Sequence, residues 1–191
     1  MLLRALAKEG SKMSDYLNLP IGDQAPATVT AVIEIPQGST NKYEYDKKLK
    51  VFRLDRNLYS PVHYPGDYGF IPHTLAEDGD PLDILVRGDA PTFPGCIYTA
   101  RPIGLFEMLD RGIQDEKILA YATGNPRFRS IQNYTDVQPH ILREVAHFFS
   151  IYKDLEGKRT SVLGWKDRDA AHAIIESNHA RFVPEAVLQG A

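Results

Sequence analysis

Asp78-Gly79-Asp80-Pro81-Leu82-Asp83 places three carboxylates within six residues, and Ile84-Leu85-Val86 follows at once. Like charges held that close are costly unless cations neutralise them. Gly79 permits a tight turn, while Pro81 fixes its own φ and pushes Asp80 towards an extended conformation. The apolar run after Asp83 predicts a strand entering a core, so the acids sit on a stiff corner at the mouth of a sheet. A bare D-x-D is most often a solvated loop; the proline, the strand and the third aspartate favour a metal site instead. A cluster of hard oxygen ligands suits Mg²⁺ or Mn²⁺ rather than zinc. A calcium EF-hand is excluded in detail. Leu82 takes the fifth loop position, Asp83 stands where the turn glycine belongs, and Asp89 replaces the closing glutamate.

The elements that must position this corner are mostly strands. Thr28 to Ile35 is rich in β-branched residues and reads as a strand stopped by Pro36. Val29, Ala31, Ile33 and Ile35 share one face, which leaves Glu34 and Val32 on the other, expected to be the wet side. Lys42 to Asp46 alternates like a strand, with Lys42, Glu44 and Asp46 pointing together. Lys47 to Lys50 reads as an exposed, solvated hairpin tip, and Val51 to Leu54 as the return strand ending in Asp55-Arg56. Pairing of the two would put Lys42, Glu44 and Arg56 on neighbouring edges. Tyr59 to Pro72 carries three prolines, two glycines and three tyrosines, and is expected to be a rigid loop offering phenol hydroxyls as hydrogen-bond donors.

Further on, Ile97 to Leu109 predicts a long strand with a bulge at Gly104, and Lys117 to Ala122 another. Asp110 and Asp115 flank the hairpin loop between them. The last third changes period. Pro139 opens a helix expected to run over 139–155 with Ile141, Val145, Phe148, Tyr152 and Leu155 on its stripe. Thr160 to Trp165 reads as a short strand, and Asp167 caps a second helix reaching about His179. His140 and His147, like His172 and His179, are seven apart, not the spacing of a helical zinc pair, so these are surface or interface histidines. Short strands broken by Gly and Pro, then two helices, predict a mainly β (α+β) fold with a small closed barrel.

Composition narrows the class. At 191 residues the chain suits one domain over 1–191, with 1–14 expected as a flexible N-terminal extension. A net charge of −3 argues against a nucleic-acid binder. Cys96 is alone, which rules out an internal disulfide and a cysteine metal site. No run approaches the roughly 20 apolar residues of a membrane span, and the cytoplasm is the expected location.

With these residues in place, the chain resembles the family I (soluble) inorganic pyrophosphatases of bacterial type. Their signature D-G-D-P-x-D-x-x-V is matched by DGDPLDILV from Asp78 to Val86. Further landmarks follow in order over about 28–165: Glu34 in VIEIP, Lys42 and Glu44 in KYEYD, Arg56 in LDR, Tyr64 in HYPGDYG, Asp110 and Asp115 with Lys117, and Tyr152-Lys153 in YKDLE. The resemblance implies a closed five-stranded OB-like barrel with two packed helices. It implies hydrolysis of pyrophosphate to two phosphates by in-line attack of a metal-activated water, with several Mg²⁺ ions and Mn²⁺ or Zn²⁺ as substitutes. Asp78, Asp83 and Asp115 would hold the tightest ion, Asp83 being shared with a second, and Asp110 with Asp115 a further one; Glu34 and Glu44 would act mainly through bound water. Lys42, Arg56, Tyr152 and Lys153 would grip phosphate, with Lys117 nearby, while Asp80 would face the attacking water and Tyr68 support it. A homohexamer is implied too, with the 139–155 helix and its off-stripe His147 and Asp154 at a subunit contact.

Two other classes fit the same barrel. One is a nucleic-acid or sugar-binding module, disfavoured because an acidic cup repels a phosphodiester. The other is a metal-dependent phosphatase acting on nucleotides or sugar phosphates.

Overall fold

The computed structural model describes residues 15–183; the expected extension over 1–14 lies outside them. The elements run β1 (Val29–Ile35), β2 (Asn41–Asp46), β3 (Val51–Asn57), β4 (Asp67–Phe70), β5 (Asp83–Arg87), β6 (Ile97–Asp110), β7 (Ile113–Gln114), β8 (Lys117–Ala122), α1 (Pro139–Ile151), β9 (Thr160–Lys166) and α2 (Arg168–Arg181). Strands β1, β4, β5, β8 and β6 pair in that order, and β6 returns to β1, closing a ring of five. This is the closed OB-like barrel anticipated from the sequence. The β5–β8 pairing is parallel and the others in the ring are antiparallel. Strand β9 extends the sheet along β6, and β2 and β3 form a separate two-stranded ribbon.

Alternation along the ring strands feeds two cores, because successive side chains leave a strand on opposite faces. Leu85, Phe106, Met108 and Leu119 join Val145, Phe148 and Phe149 of α1, as does Ile35, which departs from the face expected for it beyond the register shift between Ile33 and Ile35. Val29, Ala31, Ile33, Ile84, Val86 and Ile118 join Ala171 and Ile175 of α2. Each fully buried aliphatic side chain contributes about 1.5–3 kcal/mol, so both helices are clamped on by the strand periodicity itself. Asp167 caps α2 as expected, accepting the Ala170 N–H at 3.0 Å. The β6 bulge also falls where anticipated, with the register to β8 shifting between Pro102 and Gly104.

Three further expectations are corrected. Residues 59–72 are not loop throughout, since Asp67–Phe70 forms β4 in the middle of the ring. Gly and Asp are poor strand formers, yet Gly69 is what this strand needs: a Cβ there would stand 1.9 Å from the Val32 carbonyl oxygen of β1. The second face of β1 is not wet either. Val32 is fully buried against Tyr45 and Phe70, because the β2–β3 ribbon folds over it. Finally, α1 stops at Ile151 rather than continuing to 155. Tyr152 closes it by donating its N–H to the Phe148 carbonyl, a 3₁₀ turn follows over Asp154–Glu156, and Leu155 is left exposed. Tyr152 turns into the core, and the left-handed Gly157 ends the segment.

Candidate active site

The acidic corner is braced from within. Thr74 is buried; its hydroxyl donates to the Ile71 carbonyl at 2.6 Å and accepts the Leu82 N–H at 2.9 Å. Ala76 N–H reaches the Asp80 carbonyl at 2.7 Å, and Asp80 N–H reaches Asp78 Oδ1 at 3.0 Å. Gly79 takes φ of +88°, a region that glycine enters without strain. Leu82 then plugs into the core and Asp83 opens β5.

The sheet register brings the remaining groups to this corner. Asp83 lies opposite Phe70 of β4 and opposite Lys117 of the parallel β8. Tyr68, on β4, donates its hydroxyl proton to Asp83 Oδ2. Lys117 Nζ lies 2.7 Å from Asp83 Oδ2, 2.7 Å from Asp115 Oδ1 and 3.1 Å from the Tyr68 hydroxyl. At the C-terminal end of β6, Asp110 Oδ2 accepts from Lys153 at 2.8 Å, while its Oδ1 is buried without a hydrogen bond. The ribbon sets Lys42 opposite Arg56. Lys42 pairs with Glu44, and Arg56 Nε donates to Glu156 Oε1 at 2.8 Å.

Asp83, Tyr68, Lys117, Asp115, Asp110, Lys153, Lys42, Glu44 and Arg56 line one open cavity of about 700 Å³, together with Glu34, Asp78, Asp80 and Tyr152, while Glu156 stands behind Arg56. The structure therefore gathers every sequence-predicted site residue into a single place. It also adds groups that the sequence reading passed over. Lys47 comes from the supposedly solvated hairpin tip and bonds Asp80 Oδ1 at 2.6 Å. Arg111 and Lys158 line the same cavity, as does Tyr64, which the sequence marked as a family landmark without giving it a role. No periodic or capping signal marks Lys47 or Lys158, because their approach depends on how the ribbon and the 152–160 segment fold over the barrel.

Charge in the cavity is frustrated. Burial lifts the Glu34 carboxyl to about 8, aided by Asp83 and Glu44 and opposed by the Tyr45 N–H and by Lys42. Burial also raises Asp83, with Asp115 adding to the rise while Lys117 opposes it. Burial alone would lower the Lys117 ammonium, but Asp83 and Asp115 hold it above its ordinary value. Tyr64, Tyr68 and Tyr152 are all raised, chiefly by burial, and stay protonated as neutral donors. Among the described residues no three His, Cys, Asp or Glu side chains are drawn together as a ready metal cage. The donor set still fits a divalent cation. It is all oxygen, Asp110 Oδ1 accepts no hydrogen bond and has only Arg111 Nε at 3.8 Å, and burial outweighs Lys42 and the Tyr45 N–H in keeping Glu34 protonated.

The comparisons with known proteins agree with this picture. The family model described as inorganic pyrophosphatase matches residues 31–183. The chain is 56% identical over 162 residues to the inorganic pyrophosphatase of Synechocystis sp., covering 85% of this chain and 95% of that protein. It is 54% identical over 153 residues to that of Nostoc sp., covering 80% and 90%. The crystal structure of inorganic pyrophosphatase from Thermus thermophilus superposes with a TM-score of 0.86 at 46% identity, covering 88% of this chain and 98% of that one.

Proposed function

The chain belongs to the family I inorganic pyrophosphatases, and from that premise we propose that it hydrolyses pyrophosphate with Mg²⁺ in the 700 Å³ cavity. The observation that carries this reading is the juxtaposition in one cup of a carboxylate floor with a cationic rim. Asp78, Asp83, Asp110 and Asp115 form the floor, backed by Glu34 and Glu44; Lys42, Arg56 and Lys153 stand on the rim. Asp78, Asp83, Asp110 and Asp115 would hold the divalent ions directly, with Glu34 and Glu44 acting mainly through water. Bound there, such ions screen the polyanion and make an attacking water more acidic.

The chain's own groups do the rest. Lys42, Arg56, Lys153 and the neutral Tyr152 hydroxyl grip phosphate oxygens and stabilise the leaving phosphate as its charge grows. Glu156 fixes the Arg56 fork through its 2.8 Å bond, which leaves the guanidinium orientation preset. Asp80 accepts the proton of the attacking water. It is exposed on the corner, and Lys47 steers its carboxylate. Tyr68 holds Asp83 at one oxygen.

A phosphate-release assay with pyrophosphate, ATP and a sugar phosphate, each with and without Mg²⁺, tests the proposal. Fast release from pyrophosphate alone, and only with the metal, is expected. Comparable rates on ATP would point to a nucleotide phosphatase; no release from any of them would leave a binding module.

We also infer a homohexamer in the cytoplasm, with α1 and the 154–156 turn contributing to a subunit contact. His147, Asp154 and Leu155 are exposed there, and among the described residues no helix is long and apolar enough to cross a membrane. Light scattering at micromolar concentration should report the hexamer mass; a monomer refutes the assembly.

A further inference from the structure

Lys117 is among the most deeply buried charges in the chain, 2% exposed. An ammonium carries three protons, and three acceptors surround this one: Asp83 Oδ2, Asp115 Oδ1 and the Tyr68 hydroxyl, at 2.7, 2.7 and 3.1 Å. The rings of Phe149 and Tyr68 lie 5.2 and 5.4 Å from Nζ at their centroids, adding cation–π attraction. Backbone geometry fixes the trio. The parallel β5–β8 register sets Asp83 beside Lys117, and Asp115, two residues earlier, is tied by its N–H to the Met108 carbonyl at 2.9 Å. A phosphate could capture this ammonium only by displacing one of these three acceptors, and two of the three are carboxylates that would be left without their counter-charge. Lys117 is therefore badly placed to grip substrate. It engages one oxygen of each carboxylate and leaves the other to an ion.

We propose that Lys117 is the resident cation of the metal cup: a positioning residue that holds Asp83 and Asp115 in place before a divalent ion arrives, and that weakens the binding of that ion once it does. The inference rests on the metal reading of the cavity given above. Two opposed effects must be weighed. Removing the ammonium loosens two short carboxylate side chains, which costs a little ordering entropy when the ion binds. It also removes a full positive charge that faces a dication across shared carboxylates in a poorly solvated place, where repulsion is several times its value in water. The second effect is the larger, so metal binding tightens when Lys117 is neutralised. The empty protein responds in the opposite sense, because Asp83 and Asp115 then face one another without a counter-charge.

Calorimetric titration of the full chain with Mn²⁺, alongside thermal melts with and without the ion, tests this. Lys117→Met should bind the tightest Mn²⁺ at least about tenfold more strongly than the parent, roughly 1.4 kcal/mol. Lys117→Gln should shift the same way, and Lys117→Arg, which keeps the charge, should stay within about threefold of the parent. Without metal, the Met and Gln variants should melt earlier than the parent, and saturating Mn²⁺ should restore them. A Met variant folded only when Mn²⁺ is present is the extreme form of the same result. Equal or weaker Mn²⁺ binding by Lys117→Met overturns the proposal, as does a variant that stays unfolded at saturating Mn²⁺. A parent chain that binds no Mn²⁺ would sink the metal reading itself, an outcome distinct from a parent that binds and variants that do not differ from it.

Discussion

Glu34→Gln should make the metal-free protein more stable than its parent at pH 8 and leave it nearly unchanged at pH 5. Burial lifts the Glu34 carboxyl from 4.5 to about 8, with Asp83 and Glu44 pushing the same way. An acid whose folded pKa lies above its unfolded one keeps its proton on folding. Between pH 4.5 and about 8 the native state thus binds more protons than the unfolded chain, and stability falls as pH rises through that window. The contribution is intact below pH 4.5 and fully lost above about 8. At 1.36 kcal/mol per pH unit the whole lift corresponds to roughly 5 kcal/mol. Water reaching the open mouth of the cavity reduces that to about 2–4 kcal/mol. Glutamine is close in shape and can still accept the Tyr45 N–H, which Glu34 Oε1 receives at 2.7 Å, so the backbone contact survives while the charge does not. The assay is urea unfolding of chelator-treated parent and variant at pH 5, 6, 7 and 8, at one protein concentration. The stability gap should open steadily towards pH 8 in favour of the variant, and should reverse when saturating Mg²⁺ is added, because a ligand is then missing. A gap that is flat with pH, or that favours the metal-free parent at pH 8, refutes the reasoning.

Asp80→Asn should cut turnover about 10²–10⁴-fold, the usual worth of general-base catalysis, with Mn²⁺ binding falling less than in Asp83→Asn; near-normal turnover across a pH–rate profile removes Asp80 as the base. Lys47→Ala should lower kcat about two- to fivefold, the scale of an exposed pair, through the 2.6 Å contact to Asp80. That loss should vanish in the Asp80→Asn background, and its persistence there would show that Lys47 acts elsewhere. Gly69→Ala should cost at least about 3 kcal/mol or prevent folding, since the added methyl collides with the Val32 carbonyl at 1.9 Å; a melting temperature within a degree or two of the parent contradicts that account of β4.

Much of this molecule was legible as sequence where the signal is local. The β-branched run of β1, the bulge at Gly104, the Asp167 cap and the proline-stiffened corner at Asp78–Asp83 each announce themselves within a few residues, and each lies where the pattern places it. The site residues could be named because carboxylates and cations at those spacings match a family signature over most of the chain. Their arrangement could not. Strand β4 reads as loop because Gly69 and Asp67 disfavour a strand on their own. The glycine is there for a β1 carbonyl some 37 positions away in the chain, and Asp67 is held by Gln37, Thr92 and Tyr98 from three other segments. Val32 looks half-wet until the ribbon closes over it. Lys47 looks solvated until the hairpin tip reaches Asp80. Lys117 looks like a phosphate-binding cation, yet parallel pairing of β5 with β8 buries it between two aspartates. Residue type sets which charges the chain carries, but the dielectric around each and the partner it meets are set by strands distant in sequence, so only the closed barrel decides which lysine faces the substrate and which one stays inside.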